Sequence, residues 1–112
     1  MSPHIVSDGE IDKALDLLRD SAGAMGEAKA RLIRAGHMVS HIEALLLLAS
    51  EESSADKRKA DARASDRYLA AIHEEAGAAG EFEKLRSLRE AAAMKIEAWR
   101  SEQANYRAMK IG

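Results

Sequence analysis

Apolar residues along this chain recur at intervals of three and four and show no alternating stretch, so the pattern predicts helices and no β-strand. The most regular run is Ala28, Leu32, Ala35, Val39, Ile42, Leu46 and Ala49, spaced 4-3-4-3-4-3. That spacing is an a/d seam, which commits one helix face to packing against another helix. Leu45, Leu47 and Leu48 widen the seam at its C-terminal end and call for a second neighbour. Gly36 lies inside the run. It costs roughly 1 kcal/mol relative to alanine and gives room for a close helix approach.

Glycine and polar clusters divide the rest. Residues 1–7 read as a flexible start. Ser7 and Glu10 have the spacing of a capping box, opening a helix over 8–20 on which Ile11, Leu15 and Leu18 recur. Ser21 to Gly26, with Gly23 and Gly26, reads as a break, with a helix carried through it by its alanine-rich flanks as the alternative. The seam helix is then expected over 27–59, since its charged end is made of good helix formers. A loop that reverses the chain is the competing reading of 50–67, which holds almost no large apolar side chain. A short helix follows over 65–77, capped by Ser65 or Asp66, with Tyr68, Leu69 and Ile72 on one face.

The last helix is expected over 80–110, with Phe82, Leu85, Leu88, Ala92, Ile96, Trp99 and Tyr106 as its apolar face. At 1.5 Å per residue it spans roughly 45 Å. A compact chain of this length is only about 26 Å across, so such a helix projects or lines an assembly. The expected fold is therefore all-α: one domain of long antiparallel helices, a hairpin or bundle with coiled-coil-like packing, joined into a homo-oligomer. Leu32, Val39, Ile42, Leu46, Leu85, Leu88, Ile96 and Trp99 are the expected packing or oligomerisation residues.

Composition sharpens this picture. The chain has 112 residues, 46% of them hydrophobic, yet only 4% aromatic. Much of the apolar fraction is alanine, so the core of a single copy is thin and self-association is favoured. The absence of cysteine excludes disulfides, thiolate metal sites and a cysteine nucleophile. It fits a reducing cytoplasm, the expected location. The longest uninterrupted apolar run is Ala44 to Ala49, far short of a membrane span, so no membrane association is expected. The opening residues lack the basic and apolar regions of a signal peptide.

Candidate chemistry is sparse. His37 and His41 are four apart, a spacing that suits a metal pair, but Met38 stands where a zinc-protease helix carries glutamate. They read as polar-face histidines, and no metal or cofactor is expected. His4 falls in the flexible start and His73 on the surface. Glu51-Glu52 and Glu74-Glu75 are adjacent pairs that do not share a helix face. The chain carries no nucleophile elbow, phosphate-binding glycine loop or calcium loop. No enzymatic activity and no small-molecule substrate are expected.

The basic residues are more informative. Lys57, Arg58 and Lys59 lead into Arg63 and Arg67, and on one continuous helix Lys59, Arg63 and Arg67 would share a face. Asp56, Asp61 and Asp66 are interleaved with them, so a solvated face of paired charges competes with a phosphate-contacting patch. From Lys84 onward seven basic residues face three acidic ones, and all four aromatics, Tyr68, Phe82, Trp99 and Tyr106, lie in the C-terminal half of the chain. Aromatic rings beside Arg and Lys can stack the bases of a single strand, although their helical spacing suits core packing better.

The segment KRKADARASDRYL and the tail LRSLREAAAMKIEAWRSEQANYRAMKIG resemble small helical proteins of phage and prophage recombination modules, and are similar to the UvsY-type recombination mediators. The matching features are Asp66-Arg67-Tyr68, Glu97-Ala98-Trp99-Arg100-Ser101 and Met109-Lys110. The tyrosine–glycine segment that follows the family's basic motif is missing, and Ser101-Glu102-Gln103 replaces its Ser-Arg-Gly. The resemblance implies an all-α, ring-like homo-oligomer that binds single-stranded DNA and helps load a recombinase in place of a single-strand-binding protein. It implies Lys57, Lys59 and Arg63 as DNA contacts, and the last helix as the assembly element. The alternative is a helical adaptor, assembly or inhibitor protein that acts by protein–protein contact alone.

Overall fold

The computed structural model describes residues 6–111, so most of the expected flexible start, with His4, lies outside the described residues. Three helices follow in order: α1 (Asp8–Ala49), α2 (Ala55–Arg63) and α3 (Asp66–Ile111). No strand occurs among the described residues, and the fold is all-α, with α1 and α3 as long antiparallel helices.

The helix boundaries differ from expectation in three places. The break at 21–26 is absent, and α1 runs through Gly23 and Gly26 with no positive φ. Ser21 and Met25 are half-buried and carry the 3-4 spacing from Leu18 on to Ala28, so the packed face never lapses. Tertiary packing of that face outweighs a glycine penalty of roughly 1 kcal/mol per residue. Gly77 and Gly80 likewise lie inside α3, which merges the expected 65–77 and 80–110 helices into one of 46 residues. Ala78, between those glycines, is wholly buried.

The third difference is that α1 stops at Ala49 rather than near Lys59. Serines compete for the backbone there. The Glu52 N–H donates to Ser50 Oγ at 3.2 Å, and the Lys57 N–H donates to Ser54 Oγ at 3.1 Å. Ser54, with φ −111° and ψ 155°, is thereby the N-cap of α2. Ser65 closes the next turn by accepting from the Arg67 N–H at 3.2 Å, which starts α3.

The long helices contribute to two compact units. In the first, residues 6–25 meet 84–111. Its start is the capping box: the Ser7 N–H donates to Glu10 Oε2 at 3.1 Å, and the Glu10 N–H donates to Ser7 Oγ at 3.2 Å. Val6 and Ile11, at the two staple positions around that box, are both buried. Ala14 and Ala92 are buried behind them, flanked by half-buried Leu18, Leu85, Ile96 and Trp99. A cation also sits in this packed face. The Arg89 guanidinium donates to the Leu18 carbonyl at 2.8 Å and to Ser21 Oγ at 2.7 Å, while Ser21 Oγ donates to the Leu17 carbonyl.

The second unit is Gly26–Glu83. Ala28, Ala35 and Ile42 of α1, Ala62 of α2, and Ala71 and Ala78 of α3 are its buried residues. Leu32, Val39, Leu46, Tyr68 and Phe82 are half-buried beside them. Alanine at every seventh position of facing helices allows the backbones to approach closely. Arg31 forks to Glu74, with Nη2 at 2.9 Å and Nε at 3.1 Å, and also pairs with Glu81. The hydrogen bond to Glu74 raises the Arg31 pKa above its ordinary value, so this guanidinium stays charged. Gly36 does face α3: a Cβ there would lie 2.9 Å from Glu75 Oε2, the movable end of a side chain.

α1 also carries an 18-residue window of mean hydropathy 1.3, long and apolar enough by length and composition to cross a membrane. Counting only uninterrupted apolar residues missed it, because Arg34, His37, His41 and Glu43 punctuate the C-terminal half of the helix.

The close approach should make Ala78 sensitive to size and Arg31 tolerant of loss. Ala78→Leu inserts three carbons where the exposure is 0%, and should cost about 1–3 kcal/mol in urea unfolding. Arg31→Ala removes a bridge whose side chain is 39% exposed and screened by solvent, and should cost less than Ala78→Leu. A smaller loss for Ala78→Leu than for Arg31→Ala would show that alanine packing does not hold the unit together.

Candidate nucleic-acid interface

α2 brings most of the predicted basic residues onto one short helix. Nine residues from Ala55 to Arg63 hold Lys57, Arg58, Lys59 and Arg63, and Ala62 anchors the helix at 2% exposure. Arg67 does not extend that face. The helix ends at Ala64–Ser65, so Arg67 belongs to the first turn of α3. The expected row of Lys59, Arg63 and Arg67 on a single helix is therefore broken by the turn that Ser65 caps.

The five cations are used differently. Arg63 Nε reaches Glu43 Oε2 at 3.4 Å, tying the end of α2 to α1, and the Glu43 side chain is only 21% exposed. Arg58 Nε donates to the Glu52 carbonyl at 2.8 Å and so braces the loop ahead of its own helix. Asp61 is occupied by Ser50 Oγ at 2.8 Å rather than by a base. Lys57, Lys59 and Arg67 are exposed, and their side chains form no ion pair among the described residues. An open groove of about 460 Å³ runs beside α2, lined by Glu43, Leu47, Ser53, Ala55, Arg58 and Lys59.

The basic-aromatic tail lies in the other unit. Trp99 is half-buried there, as is Phe82 in the second unit, and the Trp99 indole N–H finds no acceptor among the described residues. Tyr106 is 54% exposed, with Lys110 Nζ 5.6 Å from its ring centroid. Arg100 pairs with Glu97 at 3.2 Å and Arg86 with Glu90 at 2.7 Å. Of the expected packing residues, Ile42 is buried, Leu32, Val39, Leu46, Leu85, Ile96 and Trp99 are half-buried, and Leu88 is 46% exposed. Among the described residues no three His, Asp or Glu side chains gather as metal ligands would, His37 and His41 included.

Arg63 was grouped by its sequence with the free cations, and nothing local distinguishes it. Its partner Glu43 is 20 residues away. Replacing Arg63 with alanine should loosen α2, raising amide hydrogen exchange over 55–63 while leaving the long helices protected. Unchanged exchange there would mean that the Glu43 pair does not hold the helix.

The chain matches no protein-family model, and no curated protein or solved structure matches it.

Proposed function

We propose that this protein is a non-catalytic accessory of recombination or replication that binds single-stranded DNA through α2 and the first turn of α3. The observation that carries the reading is the exposed set Lys57, Lys59 and Arg67, whose charges have no ion-pair partner among the described residues. Arg63 is a brace rather than a contact, since it is held by Glu43. Such a surface reads phosphate and not sequence, as a protein that must engage and later release any strand requires. Similarity to recombination mediators supports the same reading and supplies the partner class, a recombinase or single-strand-binding protein in the cytoplasm. The reading needs no cofactor and no small-molecule substrate.

A second reading, a helical adaptor that works by protein contact alone, draws on the eleven large apolar side chains that stay exposed. The two separate in one experiment: fluorescence anisotropy of a labelled single-stranded oligonucleotide, with a duplex control, across salt. Three phosphate-neutralising cations predict a log K against log salt slope of about −2 for a single strand. Lys57→Ala, Lys59→Ala and Arg67→Ala together should abolish binding, and Arg63→Ala, which loosens α2 but keeps all three cations, should weaken it less. A folded wild-type protein that fails to bind at low salt would overturn the DNA reading and leave the adaptor.

A further inference from the structure

The fold encloses few large side chains. Among the described residues Val6, Ile11 and Ile42 are the only buried apolar residues larger than alanine, against eleven large apolar ones left exposed. Three of those eleven, Met38, Leu45 and Leu48, share one face of α1 within the second unit. With exposed His41 they are spaced 3-4-3, the same a/d interval as the buried seam and offset from it by one position. Their exposures are 49%, 38% and 84%. The hydropathic window of α1 is itself only 6% buried. α1 thus carries two seams, one closed by α3 and one open.

Charge bounds the open seam. Arg34 stands one turn before Met38, exposed and without an ion pair among the described residues. Glu52 stands four residues after Leu48, also exposed and without an ion pair among the described residues. The Glu52 backbone is fixed on both sides, its N–H by Ser50 Oγ at 3.2 Å and its carbonyl by Arg58 Nε at 2.8 Å. This holds the Glu52 backbone in the loop just beyond Ala49, where α1 and its seam end.

We infer that this seam is the interface for a second copy of the chain, packed antiparallel about a two-fold axis. One register sets Met38 against Leu48 of the second copy, His41 against Leu45, and Arg34 against Glu52. The two-fold repeats each pair, so both ends of the seam close with opposite charges. Parallel pairing in register would instead set Arg34 on Arg34 and Glu52 on Glu52, like charges whose repulsion selects the antiparallel form. A lipid surface would cover the same leucines but leave the Arg34 and Glu52 charges without this reciprocity. The inference stands apart from the DNA reading, because no residue of the seam belongs to the basic set.

Sedimentation equilibrium on the full chain tests it. The wild type should show a reversible monomer–dimer equilibrium. Leu48→Glu, at a position already 84% exposed, should yield monomer with unchanged far-ultraviolet circular dichroism. Arg34→Glu and Glu52→Arg should each weaken the dimer by roughly threefold to fivefold, and the double exchange should restore it. A monomeric wild type overturns the inference. So does a dimer that survives Leu48→Glu, or one that the double exchange fails to restore. Vesicles containing anionic lipid provide the control: a wild-type monomer that binds them and loses binding on Leu48→Glu assigns the seam to a membrane.

Discussion

Two helices can enclose an alanine only where their backbones lie close together, and that constraint governs this protein. Among the described residues, seven of the ten buried apolar ones are alanines. Each contributes one methyl, worth about 0.8 kcal/mol on burial, so none dominates. What they supply is proximity. Ala28 and Ala35 on α1 and Ala71 and Ala78 on α3 have the half-buried Leu32, Val39, Tyr68 and Phe82 three or four residues from them along the same helices. The same proximity lets Arg31 reach Glu74 and Glu81 from one position, and lets Arg89 reach the Leu18 carbonyl across the first unit.

Proximity also explains which parts of the fold were legible in the sequence. The 28–49 seam was readable because its apolar residues recur without a gap, and the capping box because Ser7 and Glu10 are adjacent in space by helix geometry alone. The continuity of α1 was not. Leu18, Ser21, Met25 and Ala28 keep the packing interval, but a serine inside it and two glycines beside it look like a stop to any local rule. Only the partner helix shows Ser21 as a member of the seam, where its hydroxyl accepts from Arg89. Ala78 plays the corresponding part for Gly77 and Gly80 in α3: a methyl with no exposure holds a segment that propensity alone would break.

The basic segment shows the same limit from the side of function. Sequence located the five cations, yet it could not sort them, since their fates depend on residues far along the chain. Glu43 claims Arg63 from α1, and the carbonyl of Glu52 claims Arg58. The carboxylates interleaved with the bases, which looked like their natural partners, are used otherwise or left aside. Asp61 takes a serine hydroxyl. What remains for a ligand is narrower than the sequence suggested, two lysines and an arginine divided between two helices.

On the proposed reading, a patch that small would hold a single strand only weakly, and the open seam bears on this. Met38, Leu45 and Leu48, three of the exposed apolar residues, lie on the part of α1 that leads into α2. An antiparallel pair formed along Met38–Leu48 would place two copies of α2 in one assembly. Each would still offer only a few phosphate contacts, but the second would bind at a high effective concentration once the first had engaged. Weak sites joined in this way give affinity without base readout and still exchange one contact at a time. The thin core and the sparse cationic surface then have a common resolution: the residues that a single copy leaves uncovered are those that would let two copies act together.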